Sequence, residues 1–333
     1  MVSIGIVSFQ LDAHGWLVKK AIEDRRRVRC HLVAADTIAS HGGITWSHDG
    51  SLANRIRDAE SRVFEPASLD VMWFRRMTNH QVIPEEIIDP KTVDFIRTEC
   101  MGSLKGFLLS EFRGTWISHP DATLTAGNSL VQLRAAKAAG FRVPRTLVSQ
   151  VPEDIRRFAK ELDHQVIVKD VHGTSELATA TTVLKPELLE QDEVMSLCPA
   201  IYQELIPGQR HLRVLALGDR VISALLEAEE LDWRYKDRFP IREHALDSLT
   251  EKRIAAVLRI LGLRMGVFDF KLADDGEPAW LEVNPQGQFL WVESEGGVRL
   301  LDPFVDFLVE EAKASHQAGQ GAEALRREAA VAC

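Results

Sequence analysis

Gly266 to Asn284 reads GVFDFKLADDGEPAWLEVN, two β-prone apolar runs on either side of Asp275-Gly276. Asp-Gly suits a two-residue type I′ turn, because both central positions need positive φ. A turn at that pair sets Asp269 directly across from Glu282, with Cβ atoms about 4.5 to 5.5 Å apart. Like charges so placed repel, and a cation is expected between them. Strand side chains repeat every second residue, so Asn284 shares the face of Glu282 and adds a neutral oxygen. Two carboxylates and an amide, with no His or Cys nearby, suit a hard oxygen-seeking ion such as Mg²⁺ better than zinc. A solvated, exposed hairpin is the plainer alternative, but Val267, Phe268, Phe270, Leu281 and Val283 demand at least one buried face.

A divalent ion with few protein ligands commonly shares the phosphates of a substrate. Candidate phosphate groups lie upstream. Lys169 ends the apolar run Val166 to Val168, and His172-Gly173-Thr174-Ser175 follows it as a loop whose backbone donors could cover phosphates. Further on come Gln203-Glu204-Leu205-Ile206-Pro207-Gly208 and then Arg213, on a strand that continues to Leu217.

Around this centre, Ile4 to Phe9 reads as a strand, Trp16 to Glu23 as a helix, and Arg29 to Ala34 and Leu69 to Phe74 as further strands, an open α/β unit ending near Pro120. The loop Gln10 to Gly15 lacks the three-glycine dinucleotide fingerprint. A helix with apolar positions at Phe95, Leu104, Phe107 and Leu108 precedes that boundary. Another, from Asn128, is stopped by Gly140 and Pro144.

The formal charge of −9 argues against a protein that coats nucleic acid. Cys30, Cys100, Cys198 and Cys333 form no close pair suited to zinc or a redox dithiol, so a reducing, cytoplasmic setting is expected. No run reaches the roughly 20 apolar residues that span a bilayer, so no membrane partner is expected.

A strand-end lysine, a Gln-Glu-x-Ile segment, an arginine strand and a late Asp with Glu-x-Asn, in this order, resemble the ATP-grasp superfamily over residues 121–311. The resemblance implies an ATP-grasp fold of mixed α/β (α+β) class. Its parts would be an N-terminal α/β domain at 1–120, a central lid at 121–199, a C-terminal subdomain with the metal site at 200–312, and a flexible tail at 313–333. It implies ATP and Mg²⁺, two ions, as cofactors. Lys169, Arg213 and Arg234 would contact phosphates, and Gln203, Glu204, Leu205 and Ile206 the adenine. His211 stands at the position of a ribose-binding acid, and Asp269, Glu282 and Asn284 would hold metal. The lysine usual after Asn128 is replaced by Ser129, so one phosphate cation is missing, with Arg210 or another nearby base as a substitute.

Trp73-Phe74-Arg75-Arg76, Gly140 to Thr146, Asp232-Trp233-Arg234 and Glu282 to Trp291 are similar to the peptide-modifying branch, the graspetide synthetases of the microviridin type, related to the ligases that add glutamate to ribosomal protein S6. This implies side-chain ester or amide formation on a precursor peptide of leader and core, by an enzyme expected to be a homodimer. Arg75, Arg76, Asp232 and Trp233 are candidate substrate contacts, and Ser223 to Asp237 a leader-binding region that could accept an added strand. Surface charges and a solvated hairpin are the simpler readings of these two features. Rival readings are an amino-acid or small-peptide ligase of the S6-modifying or glutathione-synthetase kind, and a non-catalytic protein with a decayed nucleotide pocket.

Overall fold

The computed structural model describes residues 1–77, 80–171, 180–231, 233, 239–273 and 275–331, with side chains described to residue 321. It divides into two compact units, Met1–Pro120 with Arg299–Cys333, and Asp121–Val298.

In the first unit, β1 (Ser3–Ser8), β2 (Arg29–Ala34), a short ribbon of β3 (Ile56–Arg57) with β4 (Val63–Phe64), β5 (Val71–Phe74) and β6 (Thr115–Ile117) alternate with helices. The main sheet is parallel, in the order β2-β1-β5-β6. Both faces of such a sheet are covered, which is why β1 and β5 read as unbroken apolar runs and are buried throughout. The helix Ala13–Arg26 and the C-terminal helix Leu301–Val331 pack in this unit, where Phe304 meets the Trp73 ring edge-on at 4.7 Å between centroids. In the helix Pro90–Glu111, Leu104, Phe107 and Leu108 are buried as expected, whereas Phe95 is 65% exposed.

The second unit holds two sheets. The smaller, in the order β7-β10-β8-β9, is built from β7 (Thr146–Ser149), β8 (Val166–Lys169), β9 (Thr182–Val183) and β10 (Ala200–Glu204). The larger, in the order β13-β12-β11-β14-β15, is built from β11 (Arg210–Leu217), β12 (Arg220–Glu227), β13 (Ile241–Glu243), β14 (Met265–Leu272) and β15 (Pro278–Asn284). Even-numbered residues of β11 and β14, among them Leu212, Val214, Phe268 and Phe270, form one core with Trp280 and with Ile254, Val257 and Leu258 of the helix Ser248–Leu261. That helix is capped by Asp247, whose carboxylate accepts from the N–H groups of Leu249 and Thr250 at 2.9 Å each. Odd-numbered residues of the same strands therefore face the other way.

Several boundaries differ from the expected ones. The strand Ala200–Glu204 pairs with β7 and β8, so the small sheet runs past residue 199. The chain from Arg299 belongs to the first unit, and the segment expected to be a flexible tail is helical to Val331. Of the region expected to accept a leader strand, Ser223 to Asp237, the part in β12 is paired with β11 and, over Ala224–Leu226, with β13, while residues 232 and 234–237 lie outside the described residues. Among the described residues no helix is long and apolar enough to cross a membrane.

Candidate active site

Asp269 and Glu282 do face one another across β14 and β15. The turn is not the expected one. The strands close at Leu272 and Pro278, leaving residues 273–277 as the loop, with Gly276 at φ 81° and its N–H donating to Ala273 O at 2.9 Å. This loop offsets the register by one residue, and a bulge at Leu281, between the Asp269–Glu282 and Phe270–Trp280 pairs, restores it. Leu281 and Glu282 both line the cavity as a result, while Trp280 goes to the core and Val283 belongs to both the core and the cavity wall.

β15 is an edge strand, and its polar backbone is covered. Gln132, buried on the helix Ser129–Ala138, accepts from Val283 N at 2.9 Å and donates to Val283 O at 2.8 Å and to Ala126 O at 2.7 Å, while Trp280 N donates to Arg142 O at 2.8 Å. Gln132 thus substitutes for a missing strand beside the residue that separates Glu282 from Asn284. Gln132→Leu, which keeps volume but orphans both Val283 groups, is expected to cost about 2 to 4 kcal/mol in chemical unfolding. An unchanged midpoint would show that the strand needs no such support.

Beyond Asn284 the chain lies flat on β14. A Cβ at Gly287 would come within 2.7 Å of Val267, and Asn284 Oδ1 accepts from Gln286 N at 3.0 Å.

The cavity, of about 370 Å³, lies between the two sheets of the second unit. The small sheet contributes Ile167 and Lys169 of β8, Gln203 and Glu204 of β10, and the following Leu205 and Ile206. The large sheet contributes His211, Asp269, Lys271, Leu281, Glu282 and Asn284. Ser129 and Trp233 also line it. Of the connecting segment, Glu204 N–H donates to Arg145 O at 2.8 Å and Leu205 N–H to Gln165 O at 3.0 Å, while Ile206 N–H makes no hydrogen bond among the described residues. Gln203 is 1% exposed; its Nε2 donates to Thr146 Oγ1 at 2.8 Å, and its Oε1 is buried with no partner among the described residues. A buried acceptor in a cavity wall is complementary to a ligand donor such as an exocyclic amine.

Two cross-strand rows cross the cavity floor. His211 faces Lys271, and Arg213 faces Asp269, which faces Glu282. Arg213 Nη1 donates to Asp269 Oδ2 at 2.6 Å and Nη2 to Gln288 O at 2.6 Å. Its guanidinium also lies 5.5 Å from the Trp233 ring centroid and 5.8 Å from that of Trp291, the two indoles being 5.3 Å apart. Lys271 was not singled out in the sequence, although strand alternation places it on the face of Asp269. It is 4% exposed, and burial pushes its ammonium below the ordinary lysine range.

Arg75 and Arg76 lie in the first unit. Arg75 does not fit the role of a substrate clamp. It is 0% exposed, with Nε 3.5 Å from Asp12 Oδ2 and its guanidinium 5.9 Å from the Trp73 ring centroid. Burial holds it down to about 10, and burial together with the Arg75 charge pushes His14 down to about 3. Arg76 is partly exposed. Asp232, Arg234 and the loop His172 to Ser175 lie outside the described residues.

Two sheets enclosing such a cavity, with an oxygen-donor set on one and a lysine strand and polar connecting segment on the other, give the chain the fold of an ATP-grasp ligase. Among solved structures it is similar to the macrocyclase MdnC of Microcystis aeruginosa MRC bound with precursor peptide MdnA, at 25% identity and TM-score 0.82, over 92% of this chain and 99% of that one. It is also similar to a RiPP-associated ATP-grasp ligase of Chryseobacterium gregarium in complex with ADP and a leader and core peptide (22%, TM-score 0.81, 93% and 97%). The ATP-grasp ligase PsnB, complexed with a precursor variant, Mg and ADP, matches at 21% with TM-score 0.78 over 93% and 99%. No family model and no curated protein sequence matches the chain.

Proposed function

We propose that the chain is an ATP-dependent ligase that forms ester or amide links between side chains of a ribosomal precursor peptide. The observation that carries this is the pair Asp269 and Glu282, held face to face in a cavity whose opposite wall carries Lys169 and the unsatisfied Gln203 acceptor. The likeness to ligases solved with precursor peptide, ADP and Mg supports a nucleotide and a peptide as the substrates of that cavity.

In this reading adenine lies against Ile167 and Leu281, with Gln203 Oε1 and Ile206 N–H as its polar contacts. Lys169 meets the phosphates. Asp269, Glu282 and Asn284 offer only oxygen donors, which fits Mg²⁺, and the bound ions would offset charge on the phosphates during transfer. A peptide carboxylate attacks the γ-phosphorus, releasing ADP and leaving an acyl phosphate. A hydroxyl or amine of the same peptide then attacks the acyl carbon and expels phosphate. No side-chain nucleophile is needed, and the chain's own residues act by positioning and charge. Trp233 stands at the cavity wall, where a peptide would pass. A homodimer is the expected assembly.

Co-expression with a candidate precursor followed by mass spectrometry tests the reading. One water is lost per link, and tandem spectra place the links between Asp or Glu and Ser, Thr or Lys. Purified enzyme that releases ADP only with free amino acids would favour the small-molecule ligase instead.

A further inference from the structure

Lys271 is a buried cation with no task in the site as described. Its Nζ is 3.0 Å from His211 Nε2, and among the described residues that imidazole is its one polar partner. The neighbouring carboxylate on its own face, Asp269, is engaged by Arg213 at 2.6 Å. A buried ammonium that meets one imidazole and, among the described residues, no carboxylate is a costly arrangement unless a ligand completes it.

The register says which part of a ligand that is. β11 begins at Arg210, just after the connecting segment that ends in Pro207 and Gly208, so the His211–Lys271 row lies on the side of that segment. The Arg213–Asp269–Glu282 row lies one step further away. A nucleotide with its base at Gln203 and Ile206 and its terminal phosphates at the acids must cross the Lys271 row between them. Charge points the same way. Ser129 brings only a hydroxyl, bonded to Val171 O at 3.0 Å, and among the described residues lining the cavity the lysines are Lys169 and Lys271.

We propose that Lys271, oriented by His211, binds an inner phosphate of the nucleotide and supplies the positive charge that Ser129 lacks. The proposal rests on the reading of the cavity as a nucleotide site. It makes Lys271 a binding residue on the large sheet, set across the cavity from Lys169.

Calorimetric titration of the full chain with ADP, and separately with adenosine, in Mg²⁺ and without peptide, tests it. A charged hydrogen bond of this kind changes affinity about 10- to 100-fold. Lys271→Met is therefore expected to weaken ADP by about that factor while leaving adenosine within about twofold. Lys271→Arg should recover most of the ADP affinity, and His211→Leu should weaken ADP by a smaller factor. Lys271→Gln serves as the neutral variant if Lys271→Met does not fold. Unchanged ADP affinity in the neutral variants overturns the proposal. So does an equal loss for adenosine, which would place Lys271 at the base or sugar. Failure of the unaltered chain to bind ADP would instead overturn the nucleotide reading itself.

Discussion

Glu282→Gln is expected to lower peptide-dependent ADP release about a thousandfold at ordinary Mg²⁺, with little change in unfolding midpoint. The substitution keeps shape and removes one charge from a partly exposed side chain on β15. Its effect is large because the other acid, Asp269, already shares its charge with Arg213 at 2.6 Å. Without Glu282 the floor has little net negative potential with which to hold a doubly charged ion. Raising Mg²⁺ well above its usual concentration should restore part of the rate by mass action. A Mg²⁺ titration of ADP release measures both effects. Wild-type rates at ordinary Mg²⁺ would remove the carboxylate pair from the chemistry.

Arg213→Met is expected to lower the rate by about two to three orders of magnitude, and here Mg²⁺ should not help. Arg213 holds Asp269, the Gln288 carbonyl and two indoles at once, so its loss frees the row on which the acids depend. The Arg213 and Asp269 side chains are 10% and 8% exposed. Removing the guanidinium from beside that buried carboxylate should cost about 3 to 5 kcal/mol of stability. Arg213→Lys is expected to rescue stability in part and rate poorly, since an ammonium has neither the planar fork nor the stacking face. Single-turnover ADP formation and denaturant unfolding, measured on both variants, separate the two losses. Full activity in Arg213→Lys would reduce the guanidinium to a simple point charge.

The sequence was most legible where a local pattern has one physical outcome. Alternation in β14 and the Asp-Gly pair located the hairpin, and four separated motifs placed the ATP-grasp fold. The facing of Asp269 and Glu282 came out right through a turn that does not exist. The loop of residues 273–277 and the bulge at Leu281 offset one another, and nothing in Leu281 itself announces a bulge. Arg75 shows the opposite failure. Two adjacent arginines suggest surface charge, yet Asp12 and Trp73 reach Arg75 only through the parallel pairing of β1 with β5. Lys271 could have been assigned to the floor by period alone. Its burial and its contact with His211 depend on the pairing of β14 with β11, some sixty residues away in sequence. Gln132 gave no signal, because a glutamine on a helix is usually solvated, and only the proximity of β15 turns it into a surrogate strand.

The bulge separates two lengths that are usually tied together. Because the frame is set again at Leu281, residues at the hairpin tip can be exchanged without dictating which oxygens meet below it. Asp275 is exposed there, whereas Gly276, at φ 81°, would be strained by any side chain however open the space around it. Position 275 is thus a convenient place to attach a fluorophore, close enough in the chain to follow events at the reaction centre and set apart from the geometry that governs them.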